Sequence, residues 1–104
     1  MASTVIGSTI VIEGEISGDE SLVIHGTVRG QIEIRERVEI AADGVVEATI
    51  AAPVVTVYGT VAGDITADER AELRAECQVI GDVRAPRILI ADGAAFKGNI
   101  DMGG

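Results

Sequence analysis

The sequence predicts an all-β domain in which about six short coils stack into a triangular parallel β-solenoid. Three observations lead to this fold class: an internal repeat, an alternation of apolar and polar residues with a period of two, and an apolar composition almost without aromatic rings. The chain has 104 residues, of which 47% are hydrophobic and only 2% aromatic. A chain of this length is expected to form one domain.

The clearest repeat joins LVIHGTVRGQI, at 22–32, to VTVYGTVAGDI, at 55–65. Five of the eleven positions are identical after a shift of 33 residues, and most of the others keep their polarity class. Repetition at a fixed period indicates a solenoid, because each unit must present the same side chains to its neighbours. The shift of 33 residues corresponds to two coils.

Apolar pairs with one residue between them mark the first strand of each predicted coil. Successive pairs are 12, 16, 17, 16 and 17 residues apart, so the first coil is expected to be short. We therefore expect a solenoid domain over 10–102, with short tails at 1–9 and 103–104. The pairs are Ile10/Ile12, Leu22/Ile24, Val38/Ile40, Val55/Val57, Ala71/Leu73 and Ile88/Ile90.

Within the coils, alternation with period two predicts strands that have one buried face. In IEIRERVEI, at 32–40, the apolar residues would point inward while the charged residues between them point outward. DERAELRAE, at 68–76, has the composition of a helix. It aligns with RERVEIAAD by the same 33-residue shift, so the repeat predicts that it is also extended.

The composition fits a narrow interior. Trp is absent, and Phe96 and Tyr58 are the single representatives of their types. Residues branched at Cβ suit a pleated surface, and stacked layers of Val and Ile would leave no space for rings. The thirteen glycines supply small residues for frequent corners between strands.

The formal charge of −9 argues against binding to nucleic acid or to anionic lipid. Cys77 is the only cysteine, which excludes an internal disulfide and fits a reducing compartment. The sequence contains no apolar run long enough to span a bilayer, and MASTVIGS lacks the features of a signal peptide. We therefore expect a soluble cytoplasmic protein.

Residues able to do chemistry are few and scattered. His25 is the only histidine, is expected at a surface corner and has no evident acidic partner; Cys77 is expected to be an inert thiol. There is no phosphate-binding glycine motif and no calcium-binding loop. The sequence predicts no catalytic residue, no metal site and no cofactor. The densest acidic group, expected to be a solvated face, is Glu13, Glu15, Asp19 and Glu20.

The two ends of the predicted solenoid are the candidate functional surfaces. A stacked sheet ends in unpaired backbone groups, and monomeric repeat proteins cover them with a polar cap that this sequence does not provide. Phe96 falls in the last coil, where it either plugs its own core or contacts another subunit. The residues predicted to form the C-terminal contact are Phe96, Ile88, Ile90, Ile100 and Met102, and those at the N-terminal end are Ile10, Ile12 and Ile16.

From about Thr4 to Met102 the chain resembles the bactofilins, which are bacterial cytoskeletal proteins built on one central domain. The resemblance is strong because several phrases occur together, in order. They are TVIG at 4–7, VAGDI at 61–65, VIGDV at 79–83, APRILI at 85–90 and FKGNIDM at 96–102.

The resemblance implies a right-handed triangular β-helix that polymerises into nonpolar filaments, end against like end, without nucleotide. It implies a scaffolding role in cell-wall synthesis, cell shape or chromosome organisation, with further copies of the chain and bactofilin paralogues as partners. The family's polymer contact by a terminal aromatic residue carries over to Phe96, which occupies the matching FKG position. MASTVIGS contains no Lys, Arg or aromatic residue, which gives no support for direct membrane binding.

Two other classes of solenoid protein fit parts of the sequence pattern. A left-handed hexapeptide-repeat acyltransferase would share the coil count, but it keeps an 18-residue coil and places a His at a trimer interface. The spacings in this chain vary, and His25 has no evident supporting acid. An ice-binding solenoid needs a flat face of regularly spaced Thr, and the outward residues between the apolar pairs are too varied for that. Those residues are Val11, Val23, Glu39, Thr56, Glu72 and Leu89.

Overall fold

The computed structural model describes residues 3–101, and every regular element in this range is a β-strand. All pairings between these strands are parallel. The strands are β1 Ser3–Ile6, β2 Val11–Gly18, β3 Ser21–Ile24, β4 Thr27–Ile34, β5 Arg37–Ile40, β6 Val45–Val57, β7 Thr60–Ala62, β8 Ile65–Leu73, β9 Gln78–Ile80, β10 Val83–Arg84, β11 Ile88–Ile90, β12 Ala95–Lys97 and β13 Ile100–Asp101.

The ladders divide the described chain into six coils, each contributing one strand segment to each of three faces. The first face contains β1, β3, β5, the ends of β6 and β8, and β11. The second contains the starts of β2, β4 and β6, followed by β7, β9 and β12. The third contains the ends of β2 and β4, the middle of β6, the start of β8, β10 and β13. Coils 1 to 6 span residues 3–20, 21–36, 37–53, 54–69, 70–86 and 87–101.

The predicted all-β solenoid of about six coils is confirmed, and most of the segment with the composition of a helix is extended. Part of DERAELRAE lies in β8, where Ala71 and Leu73 pair with Val55 and Val57 of the preceding coil. Ala71 and Leu73 are almost completely buried. Extended pairing into the core therefore outweighs the helical propensity of this segment.

The predicted register of the first coil is wrong. Thr4 and Ile6, rather than Ile10 and Ile12, pair with Leu22 and Ile24. Coil 1 is therefore of full length, and the segment predicted as an N-terminal tail contains β1. This strand does not show in the pattern of apolar pairs, because its first inward residue, Thr4, is polar. Thr4 is exposed at the open end of the solenoid, where an apolar side chain is not required.

The core consists of inward side chains stacked in columns along the solenoid axis. The ladder register gives one column with five isoleucines among its six members and another with four valines among its six. Neighbouring coils lie about 4.8 Å apart, so residues in a column contact each other directly. The isoleucine column is Ile16, Ile32, Ile50, Ile65, Val83 and Ile100, and the valine column is Ile12, Val28, Val46, Val61, Val79 and Phe96.

Glycine occupies the corner after the second-face strand in five of the six coils, and Ala48 occupies it in coil 3. This corner contains the glycine of the repeated VAGDI and VIGDV phrases. Gly81 has a φ of 135°, which L side chains rarely adopt. A Cβ at this position would lie 2.0 Å from the carbonyl oxygen of Gly63, one coil earlier. The coils approach so closely here that only glycine fits.

Candidate functional site

The N-terminal end brings together the three residues predicted there. Ile12 and Ile16 occupy inward positions of coil 1 and are half-buried, because a second coil packs on only one side of them. Ile10 lies at the corner before β2 and is 46% exposed. Ile6 joins this coil at an inward position that sequence analysis missed, and it is already buried.

The C-terminal end places four predicted residues at inward positions of coil 6. Their partners in coil 5 are nearly inaccessible to solvent, whereas Ile90 is 49% and Ile100 41% exposed. Ile88 and Phe96 are half-buried and pack against the core. Met102, also predicted here, lies outside the described residues.

A shallow apolar depression of about 380 Å³ adjoins Phe96 on the second face. Ile80 and Ala95 form part of its wall, and both side chains are exposed. The apolar surface of the C-terminal end therefore continues over the rim of the solenoid. Its lining residues are Gln78, Val79, Ile80, Ala95, Phe96 and Lys97.

The backbone at both ends is also open to pairing. Within residues 3–101, coil 1 pairs only with coil 2, and coil 6 pairs only with coil 5. Unpaired strand edges are templates for association with another chain. Apolar side chains and free edges thus occur on the same two surfaces.

His25 lies at a surface corner, as predicted, but it does have an acidic partner. Its Nδ1 atom lies 3.0 Å from Oδ1 of Asp43, and both side chains are well exposed. The expectation that His25 lacks an acid is therefore wrong, because Asp43 comes from the next coil. An exposed pair of this kind is typical of surface ion pairs, which contribute little to stability.

Cys77 is completely buried at a corner of the core. Burial raises the pKa of its thiol, although backbone hydrogen bonds oppose the shift. Since the thiolate is the reactive form, this environment suits a structural residue.

The predicted acidic group does not converge on one point. Glu13 lies on the second face and Glu15 on the third, on either side of the corner at Gly14. No group of three or more His, Cys, Asp or Glu side chains suited to a metal ion occurs among the residues the structure describes. In that same part of the chain, no helix has the length and apolarity needed to cross a bilayer.

A charged network on the first face was not identified from sequence. Glu72 lies 3.0 Å from Nε of Arg70 and 3.4 Å from Nη1 of Arg74. The guanidinium of Arg74 also lies 5.8 Å from the centre of the Tyr58 ring. Arg70 and Glu72 are two residues apart on the outer side of β8. Arg74 directly follows the last residue of this strand, Leu73.

The whole chain is similar to curated relatives. Bactofilin BacO of Myxococcus xanthus (strain DK1622) is 59% identical over 102 residues, covering 98% of this chain and 81% of BacO. Bactofilin BacN of the same organism is 52% identical over 98 residues, covering 94% of this chain and 87% of BacN. Bactofilin BacP is 43% identical over 101 residues, which are 97% of this chain but 42% of BacP.

The family model for Bactofilin, described as polymer-forming cytoskeletal, matches residues 4–101. No solved structure gives a significant match. The matched range begins in β1 and ends in β13, so it contains all six coils. This match and the identity to BacO establish the family: the chain belongs to the bactofilins, the polymer-forming cytoskeletal proteins.

Proposed function

We propose that this protein is a non-enzymatic cytoskeletal scaffold that assembles end to end, without nucleotide, into nonpolar filaments. One observation carries the proposal: the inward apolar columns of the second and third faces run to both ends of the solenoid, and their terminal members remain partly open to solvent. Ile90 and Ile100 are 49% and 41% exposed at positions whose neighbours one coil earlier are buried. Contact with another subunit would bury them in the same way.

The hydrophobic effect supplies the driving force. Full burial of an Ile or Phe side chain stabilises by about 1.5–3 kcal/mol. Ile88, Ile90, Phe96 and Ile100 are only partly buried in the free chain, so the C-terminal contact would gain a fraction of this amount from each. Backbone hydrogen bonds along the unpaired strand edges of coil 6 would fix how the two subunits are aligned.

Contact between like ends gives a filament without polarity. An isologous contact joins one surface to the same surface of a second subunit, related by a two-fold axis. A subunit with two such surfaces, one at each end, builds an open chain in which the two kinds of contact alternate. Ile10, Ile12 and Ile16 would form the centre of one contact, and coil 6 would form the other.

The partners follow from the same surfaces. Other copies of the chain are the first partners, and bactofilin paralogues would share the end geometry because they share the repeat. Myxococcus xanthus has at least three similar bactofilins, which supports copolymerisation as part of the proposal. The negative charge of the chain argues against direct binding to nucleic acid and gives no support to direct binding to anionic membranes.

Electron microscopy of the purified protein tests the function. We expect filaments in the presence of a chelator, and after enzymatic removal of nucleotide, because the sequence contains no loop that cradles phosphate. Filaments that vanish with chelator and return with magnesium nucleotide would contradict the nucleotide-independent mechanism. Discrete trimers would instead favour the alternative, an enzyme of the hexapeptide-repeat acyltransferase type.

A further inference from the structure

The two terminal coils carry different charge. Coil 1 contains four acidic side chains and no basic one. Coil 6 contains two acidic and two basic side chains, so its formal charge is zero. The acidic residues of coil 1 are Glu13, Glu15, Asp19 and Glu20, and the charged residues of coil 6 are Arg87, Asp92, Lys97 and Asp101.

The acidic side chains of coil 1 lie on two of its three faces and at one corner. Glu13 and Glu15 project from the second and third faces, and Asp19 and Glu20 lie at the corner that leads into coil 2. All four are exposed. Asp19 lies 3.5 Å from Nε of Arg35, and it is the only one of the four within 4 Å of a basic group in the described part of the chain.

Contacts between like ends therefore differ in electrostatic repulsion. Two coil 1 surfaces in contact would place their eight carboxylates, four from each subunit, near a single apolar centre. Two coil 6 surfaces would bring together rims of zero net charge. The Debye length is about 30 Å at 0.01 M salt and about 3 Å at 1 M, so salt strongly weakens repulsion at the first contact only.

We propose that ionic strength controls assembly through the N-terminal contact. The contact between two coil 6 surfaces forms at low and high salt. The contact between two coil 1 surfaces forms only when salt screens the four acidic side chains of each coil 1, which we call the coil 1 rim. At low salt the protein is a dimer joined through coil 6, and added salt links dimers into filaments. This inference rests on the proposed end-to-end function. It adds that the coil 6 contact forms before the coil 1 contact.

The test measures particle mass by light scattering, with electron microscopy, at about 0.01 M and about 1 M NaCl. We expect dimers at low salt and filaments at high salt, with a rise in mean mass of at least ~tenfold. A variant with Glu13→Gln, Glu15→Gln and Glu20→Gln should form filaments at both concentrations. Phe96→Arg should be monomeric at low salt, because the coil 6 contact is the only one available there.

A matched control removes the same charge far from either end. Asp64→Asn, Asp68→Asn and Glu69→Gln lie on the exposed surface of coil 4, and this variant should remain dimeric at low salt. If it also forms filaments there, total charge rather than the coil 1 rim controls assembly, and the inference is wrong. Wild-type filaments of equal length at both salt concentrations, or wild-type monomers at low salt, would also overturn it. A wild-type chain that is monomeric at every salt concentration would instead refute the end-to-end function itself.

Discussion

Phe96 lies directly beyond Val79 in the same inward column, yet the two residues differ in their exposure to solvent. Val79 is 1% exposed, whereas Phe96 is only half-buried because no coil follows it among the described residues. The column thus ends in the largest apolar side chain of the chain, at the surface proposed to contact another subunit.

Phe96→Arg should abolish long filaments. The substitution would place an unpaired charge in the contact, which costs several kcal/mol, and would remove about 2–3 kcal/mol of apolar burial. At high ionic strength we expect dimers joined through the N-terminal end, detected by light scattering, with an unchanged β-type circular dichroism spectrum. Thr49→Arg, at an exposed outward position of coil 3 and away from both ends, is the control and should still polymerise. Persistent Phe96→Arg filaments would exclude Phe96 from the contact, and a collapsed spectrum would show that it plugs its own core.

Gly81→Ala should destabilise the fold more than Gly14→Ala. Both glycines have similar φ angles, 135° and 131°, so both substitutions carry the backbone strain of about 1–3 kcal/mol. A Cβ at Gly81 would lie 2.0 Å from the carbonyl oxygen of Gly63, whereas a Cβ at Gly14 would have no atom of the described residues within 4 Å. We expect a further ~1–3 kcal/mol loss for Gly81→Ala from overpacking, measured by urea unfolding in the Phe96→Arg background. Equal losses would show that the coils can separate locally.

Thr56→Val should stabilise the protein. Thr56 lies between Glu39 and Glu72 on the first face and is 1% exposed. Its Oγ1 atom has no hydrogen-bond partner among the residues the structure describes. An unsatisfied buried hydroxyl costs about 1–3 kcal/mol, and valine removes it with little change in shape. The control is Thr60→Val, where the hydroxyl is partly open to solvent and a change within about 0.5 kcal/mol is expected. A loss of stability for Thr56→Val would indicate that a bound water satisfies the hydroxyl.

Cys77 should resist thiol reagents in the folded chain and react after unfolding. Because burial raises the pKa of its thiol in the folded state, the unfolded state ionises first as the pH rises. The contribution of Cys77 to stability is thus fully present below the ordinary thiol pKa of about 8.5 and is lost as the pH rises above it. Urea unfolding across this range should show a steeper fall for the wild type than for Cys77→Ala. Parallel curves, or rapid labelling of the folded chain, would argue against a buried thiol.

Much of the candidate site could be predicted from the sequence. Phe96 and Ile100 were assigned to the C-terminal end because each continues a column that repeats through the preceding coils. Ile12 and Ile16 lie in the N-terminal coil, where they pair with Val28 and Ile32, although the predicted register of this coil is wrong. Their role in polymer contact stays a prediction until assembly is measured.

The sequence by itself determined the fold class and the register of coils 2 to 6. In a parallel stack every interior coil contacts two similar neighbours, so the same inward positions recur in each coil. Residues at equivalent positions of the repeat are therefore the residues that pair between coils. Only the tertiary structure decided the register of coil 1, because a terminal coil has a single neighbour and Thr4 is free to be polar. The contact between His25 and Asp43 and the burial of Thr56 also became visible only in the tertiary structure. Such contacts join residues of different coils through outward side chains, whose positions the repeat does not constrain.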